Sequence, residues 1–257
     1  VGVTLQYGPD GSVFVIDWSD TGECHSVRNT QRHTGRIYRI AYGTPKRPEL
    51  NLANLTNERL VELQRHRNDW FVRHARRLLQ ERAASATQLD NATDSLHATF
   101  ESVPDVPGKL RALWALHVAG GLDEATLLKL LDHESEHVRV WAIQLLVENQ
   151  QRGTGDAPVV VSDLSQNASP SQSTLNRLQE LASADDSPLV RLYLASALQR
   201  LPQGQRWNIA EALASHSLDD LDANIPLMLW YGVEPLIHDN PVRFSALAAT
   251  SKLSIVR

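Results

Sequence analysis

The chain has 257 residues, of which 42% are hydrophobic, and it carries a formal net charge of −5 with a pI near 6.1. This length suffices for one large domain or two small ones, and the composition is that of a chain with a folded core. The charge gives no global basic field, which argues against nucleic acid as a partner. Apolar runs such as 225–233 are too short to span a bilayer. Met228 is the only methionine, which indicates a piece of a longer polypeptide.

The first part of the chain, 1–44, has the pattern of short β-strands. An extended run at 3–7 is followed by the turn signal Gly8-Pro9-Asp10-Gly11 and then by β-branched and aromatic residues over 12–18. Residues 35–42 mix apolar and charged side chains in a way that suits a half-buried strand. Three strands in a meander leave open edges, so further sheets of the same kind are expected beside them.

Residues 45–257 are predicted to form a helical domain that follows a linker marked by Pro45 and Pro48. Thr56 is a predicted N-cap. A Gly-, Pro- and Ser-containing segment near 151–173 is predicted to be a long loop. Helices are predicted over 57–66, 70–84, 87–101, 108–120, 123–132, 136–150, 171–184, 188–200, 204–215, 219–231 and 240–251.

A repeated pattern connects these helices. Val138, Trp141, Ala142, Leu145 and Leu146 form one apolar helical face. The face recurs in three further helices, at Val72, Ala75 and Leu79, at Val190, Tyr193, Leu194, Ala197 and Leu198, and faintly at Val242, Ala246 and Ala249. Repeats of about 40 residues built from two packed helices are typical of HEAT arrays. The predicted fold is therefore mainly α, a HEAT-like solenoid preceded by a short β segment.

Three stretches resemble one protein family. Asp17-Trp-Ser-Asp-Thr-Gly-Glu-Cys-His25, followed by Gly35-Arg-Ile-Tyr-Arg-Ile40, resembles the last propeller blade of the planctomycete-type membrane-bound dehydrogenases, also called haem-binding proteins. Asp69-Trp-Phe-Val-Arg-His-Ala-Arg-Arg-Leu-Leu-Gln-Glu-Arg82 is similar to the start of their HEAT-like region. Asn224-Ile-Pro-Leu-Met-Leu-Trp-Tyr-Gly-Val-Glu-Pro235 is similar to a segment near its end.

This resemblance implies a parent protein that oxidises a sugar or alcohol with a quinone and calcium and passes electrons to haem c. It also implies a periplasmic or membrane-associated location for the parent. The chain departs from the family because it has at most one blade and no Cys-x-x-Cys-His for haem attachment. No cofactor is therefore expected in this part, which is not expected to be catalytic alone.

The loop after the second predicted strand is a candidate metal site. Asp17, Asp20, Glu23 and His25, with Cys24, lie within nine residues, and carboxylates that converge on a loop could hold a hard cation such as calcium. The spacing matches no EF-hand or zinc finger. The structural alternative is that Asp17 and Asp20 cap turns, and a third reading assigns the loop to a site of the intact propeller.

Arginines at one position of the repeat form the second candidate set, namely Arg73, Arg111, Arg139, Arg191 and, in the faint copy, Arg243. They could bind an anionic partner. The structural interpretation, which we favour, is that each guanidinium bonds the carboxylates or carbonyls of the preceding turn and ties one repeat to the next.

The segment His133-Glu134-Ser135-Glu136-His137 fits the zinc-peptidase pattern His-Glu-x-x-His, in which two imidazoles one helical turn apart hold the metal. The repeat places 132–135 in the turn before a helix that starts near Glu136, so the two imidazoles are not expected to share a face. Aromatic residues at helical spacing, such as Trp114 and Trp141, are expected to be core.

The predicted function is a non-catalytic scaffold that links a dehydrogenase-like propeller to a cytochrome c module or presents a surface to another protein. Its expected partners are protein modules of the same chain or another protein. The alternative is a direct role in a quinone-dependent sugar or alcohol dehydrogenase through the loop 17–25. A metal-dependent hydrolase that uses His133, Glu134 and His137 is the third hypothesis.

Overall fold

The computed structural model describes residues 2–17, 35–46, 48, 51–85, 89, 91–148 and 170–257. It divides into two compact units, Val1–Gly121 and Leu122–Arg257. The boundary expected from the sequence at 44/45 separates strands from helices, whereas the compact units divide after Gly121. The first unit therefore contains both the β segment and the first helices.

The β segment is a three-stranded antiparallel sheet in the order β1, β2, β3. Its strands are β1 (Gly2–Tyr7), β2 (Val13–Asp17) and β3 (Ile37–Ile40). The turn between β1 and β2 has Gly11 at φ 80°, a left-handed conformation that glycine adopts without strain. The carboxylate of Asp10 accepts a hydrogen bond from Ser12 N (3.0 Å) inside this turn. The predicted strands and turn are confirmed.

One face of this sheet is apolar, apart from Asp17 at the end of β2. The strand register places Leu5, Val15 and Tyr38 side by side, and likewise Tyr7, Val13 and Ile40. Leu5, Tyr38 and Ile40 are nevertheless 70%, 51% and 61% exposed. The sheet thus presents to solvent a surface that has the composition of a core.

Four α-helices follow the sheet in the first unit. They are α1 (Asn57–Glu62), α2 (Asp69–Ala84), α3 (Ala92–Ser102) and α4 (Val106–Ala119), with short 3-10 segments at Leu52–Asn54 and Leu63–Arg65. Thr56 caps α1 through its hydroxyl, as predicted. α1 packs on α2 and α3, and α4 packs on α2 and α3. The leucines between these helices are fully buried, among them Leu60, Leu79, Leu96 and Leu113.

The described part of the second unit continues this helical architecture. Its helices are α5 (Glu124–Leu130), α6 (Glu136–Leu146), α7 (Gln172–Ala184), α8 (Pro188–Ala197), α9 (Gln203–Leu213), α10 (Ile225–Val233), α11 (Leu236–Asp239) and α12 (Pro241–Thr250), with 3-10 segments at Leu198–Arg200 and Ser217–Leu221. α6 packs on α8, α8 on α10 and α7 on α9. In the described ranges, every helix is too short or too polar to cross a membrane.

The apolar faces predicted from the repeat are buried in three of their four copies, apart from Trp141 and Tyr193, which are half-buried. Val72, Val138 and Val190 are all fully buried. The faint fourth copy was wrong, because Val242 in α12 is 80% exposed and the buried residue of that helix is Leu247. The helix is rotated relative to the predicted face, because a faint pattern of two alanines does not specify which side is buried.

Candidate functional site

Arg139 joins two turns of the second unit. It lies in the first turn of α6, and its Nη1 donates to the carbonyl oxygens of His133 (2.9 Å) and Glu134 (3.1 Å) in the turn just before that helix. Its Nε and Nη2 donate to the two carboxylate oxygens of Asp185, at 2.8 and 2.9 Å. Because Asp185 precedes α8, one guanidinium fixes the starts of two packed helices.

Arg191 repeats this arrangement one step further along the chain. Its Nη1 donates to the carbonyl of Asp185 (2.8 Å), and its Nε and Nη2 donate to the two carboxylate oxygens of Asp219, both at 2.6 Å. The side chains of Arg191 and Asp219 are only 8% and 3% exposed. The hydrogen bonds that Arg191 donates to Asp219 raise the pKa of the guanidinium, so they stabilise its charged form.

Asp185 is the residue shared by the two arginines. Its carboxylate is bound by Arg139 and also accepts a hydrogen bond from Ser187 N (2.9 Å), while its carbonyl binds Arg191. Ser187 caps α8 and donates its hydroxyl to Glu136, the first residue of α6. These contacts form a continuous polar chain along the turns that start α6 and α8, which we call the arginine ladder.

The two predicted arginines of the first unit make a different contact. Arg73 and Arg111 both pair with Asp69 at 3.2 Å, and Arg111 also donates to the carbonyl of His66 (3.3 Å). Arg73 lies over the ring of Tyr7, 5.6 Å from its centroid, and is half exposed. Thus Arg111 reaches back to the turn before α2, whereas Arg73 pairs within its own helix. The repeat position is common to the arginines, but the geometry of the ladder is specific to Arg139 and Arg191.

The histidines of the zinc-peptidase pattern do not lie on one helical face. His133 is in the turn before α6, and its Nδ1 accepts a hydrogen bond from the backbone N of Ser135 (3.0 Å), while His137 is exposed on the first turn of the helix. Helix α6 begins at Glu136, as the repeat predicted. This local geometry lacks the one-turn separation on a helix that zinc ligation by the motif requires.

The candidate metal loop is described only at its first residue. Asp17 ends β2 and its backbone N donates to the carbonyl of Arg36 (2.9 Å). Asp20, Glu23, Cys24 and His25 lie outside the described residues. Within the part of the chain that is described, no three His, Cys, Asp or Glu side chains are grouped so as to hold a metal ion.

A cavity that sequence reasoning missed lies where the sheet meets the helices of the first unit. It measures about 670 Å³ and includes Tyr7 and Asp10 from the sheet side and His66, Asn68 and Phe71 from the helical side. Asn68 anchors this junction, because its Nδ2 donates to the carbonyl of Gly8 (2.9 Å) while its Oδ1 caps α2. The volume is in the range of small-molecule sites. Its residues are separated by about 60 positions in sequence, so no local motif marks it.

No protein-family model and no curated protein matches this chain. The ladder side chains are bound to one another and to backbone carbonyls, which makes them groups that position helices. A guanidinium held by two carboxylate oxygens and a carbonyl has little capacity left for a ligand.

Proposed function

We propose that the chain is a non-catalytic scaffold, a HEAT-like helical-repeat solenoid. The observation that carries this proposal is the arginine ladder, in which Arg139 and Arg191 make the same pair of contacts to successive turns. A contact that recurs at the same position of each repeat is expected to join neighbouring repeats, because each unit of such an array is stabilised by its neighbours. The packing of α6 on α8, α8 on α10 and α7 on α9 supports the same architecture.

The scaffold is further proposed to link a dehydrogenase-like propeller to a cytochrome c module, as the family resemblance implies. The exposed apolar face of the sheet, with Leu5, Tyr38 and Ile40, supports this part of the proposal. Stacked sheets bury such faces against each other at about 10 Å. Ile16 and Ile37 on the opposite face are also 45% and 72% exposed, which is what a blade between two neighbouring blades would have.

A melting experiment separates the scaffold from the dehydrogenase alternative. We expect the purified chain to contain no stoichiometric metal by elemental analysis. We also expect its melting temperature to be the same with chelator, with calcium and with a quinone cofactor, because the ladder needs none of them. A stoichiometric metal, or a melting shift with calcium or quinone, would favour the dehydrogenase role through the loop 17–25. Replacing Glu23 and His25 would then abolish that shift.

A further inference from the structure

Three arginines of the first unit lie close together. Arg73 and Arg76 are three residues apart on α2 and therefore lie on the same side of that helix, and Arg111 lies on α4, which packs against α2. Among the described residues, the carboxylate that pairs with this group is that of Asp69, 3.2 Å from both Arg73 and Arg111. Three positive charges thus share one negative charge, and we call Arg73, Arg76 and Arg111 the arginine cluster.

Arg76 is the member of the arginine cluster that lacks a hydrogen-bonding partner. Its guanidinium forms no ion pair or hydrogen bond with any described residue, although its side chain is half-buried and lies over the ring of Trp114, 5.2 Å from the centroid. Burial lowers the pKa of Arg76, Asp69 acts in the opposite direction, and the neighbouring Arg111 and Arg73 lower it further. The surroundings therefore disfavour a charge that the side chain nevertheless carries at neutral pH.

The second unit shows what an arginine of this chain binds when its partner is present. Each ladder arginine donates to both oxygens of a carboxylate that comes from another turn, at 2.6 to 2.9 Å. In the arginine cluster, by contrast, Arg111 pairs with Asp69 at 3.2 Å and Arg76 pairs with no described carboxylate. A planar guanidinium matches a carboxylate through two parallel hydrogen bonds. The arginine cluster thus has donors for a carboxylate that the described part of the first unit does not supply.

We propose that the arginine cluster binds a carboxylate group of a second molecule, with Arg76 as its main contact and with Arg73 and Arg111 adding electrostatic attraction. The carboxylate approaches the exposed side of the Arg76 guanidinium, since Nη1 is buried. The ring of Trp114 holds the guanidinium in place through a cation–π contact, so little side-chain freedom is lost when the anion binds.

The carboxylate has two chemical sources. One is an aspartate or glutamate side chain of a partner protein, and this source rests on the proposed scaffold role. The other is a free carboxylic acid, which would bind whether or not the chain is a scaffold. Both sources present the same group to Arg76, so the experiment has to distinguish them.

The inference is tested by titrating the whole chain, labelled with ¹⁵N, with two carboxylate probes at low ionic strength. One probe is glutarate, and the other is a capped heptapeptide of glycine and serine that contains two glutamates. We expect at least one of them to shift the Nε–Hε resonance of Arg76, and the same peptide with glutamines should leave it unchanged. Tighter binding of the glutamate peptide than of glutarate assigns the site to a protein partner, and the reverse order assigns it to a free acid.

Arg77 provides the matched control for this site. Arg76→Gln and Arg77→Gln remove one positive charge from adjacent positions of α2, but the Arg77 side chain is 61% exposed and pairs with Glu81 at 3.2 Å. Arg76→Gln should weaken binding of the tighter probe at least about tenfold, because it removes the charge-assisted hydrogen bonds. Arg77→Gln should weaken it less than about twofold, because its charge is solvated and already paired.

Asp69→Asn gives a change in the opposite direction. It removes the carboxylate that competes with the ligand, so it should tighten binding at least about threefold, an increase that loss of structure cannot produce. This variant keeps the test decisive if Arg76→Gln does not fold. Equal losses in the two glutamine variants, weaker binding by Asp69→Asn, binding of inorganic phosphate alone, or no response to either carboxylate probe would each overturn the inference. None of these outcomes bears on the cofactor-independent melting that tests the scaffold.

Discussion

At the scale of single residues, the ion pairs of the second unit differ widely in burial. The Arg191 and Asp219 side chains are 8% and 3% exposed, whereas the Arg177 side chain is 32% exposed and its partner Asp132 is 71% exposed. Removing one member of a buried pair leaves an uncompensated charge, which is far more costly than removing a solvated one. The two arginines therefore form a natural comparison.

We expect Arg191→Ala to lower the free energy of unfolding by about 3–5 kcal/mol, since it leaves Asp219 buried and unpaired. Arg177→Ala should cost about 0–1 kcal/mol. Arg191→Lys should recover only part of the loss, because an ammonium cannot reproduce the two-oxygen fork. Urea unfolding of the three variants measures these differences. Similar midpoints for Arg191→Ala and Arg177→Ala would show that the ladder does not stabilise the fold.

The position of the ladder arginines was predictable from the sequence, but their partners were not. Arg139 and Arg191 follow Val138 and Val190 in the repeat, and the preceding turns are evident as polar segments. The carboxylate that binds Arg139 lies 46 residues away, and most of the loop predicted near 151–173, which separates the two in sequence, lies outside the described residues. Asp219, the partner of Arg191, was expected within a helix. Periodicity identifies faces of helices, whereas pairing across such distances depends on packing.

At the scale of elements, most helices were predicted within a few residues, and the exceptions have a local cause. The helix predicted over 219–231 is a 3-10 segment, Ser217–Leu221, followed by α10 from Ile225. Pro226 sits in the first turn of α10, where its missing N–H is not required. The short helix α11 was missed, because four residues carry too little periodicity to be recognised.

Close packing of α10 on the 3-10 segment Leu198–Arg200 depends on Gly232. A Cβ at this position would lie 2.8 Å from both Cβ and Cδ1 of Leu198. We expect Gly232→Ala to lower the free energy of unfolding by about 1–3 kcal/mol, in spite of the higher helix propensity of alanine. Gly204→Ala, with nothing within 4 Å, should stabilise by about 0.5–1 kcal/mol. The melting temperatures of both variants test these two predictions. A Gly232→Ala protein that melts at a higher temperature than its parent would contradict the close contact.

At the scale of the whole molecule, the charge distribution predicts how stability depends on pH. Several carboxyl groups have lowered pKa values because they accept hydrogen bonds. The number of acidic residues in the sequence does not predict these shifts. Asp10 accepts first from the backbone N of Ser12, Glu124 from the hydroxyls of Ser171 and Thr174, and Asp222 from the backbone N of Ile225 and of Asn224. Burial, assisted by Arg77 and Arg73, lowers the pKa of His74.

All of these groups change the stability of the fold with pH in the same direction. A carboxyl or imidazole whose pKa is lower in the folded than in the unfolded chain binds protons preferentially when unfolded. The contribution of such a group to the free energy of unfolding is complete above the pKa that the group has in the unfolded chain. That contribution is lost as the pH falls through the pKa that the group has in the folded chain. The chain should therefore lose some stability below about pH 6.5 through His74 and more below about pH 4.5 through the carboxyl groups.

Glu124 provides a direct test, since it connects the start of α5 to the start of α7. Glu124→Gln should be less stable than the parent at pH 7, because a neutral amide accepts these hydroxyl hydrogen bonds more weakly than a carboxylate. The difference in free energy of unfolding between the variant and the parent should become smaller as the pH falls below 4.5. It should disappear once the Glu124 carboxyl is protonated in both the folded and the unfolded chain. Urea midpoints between pH 7 and pH 2.5, with the exposed Glu101→Gln as control, give the result. A difference that stays constant across this range would mean that Glu124 acts through packing and that its charge contributes nothing.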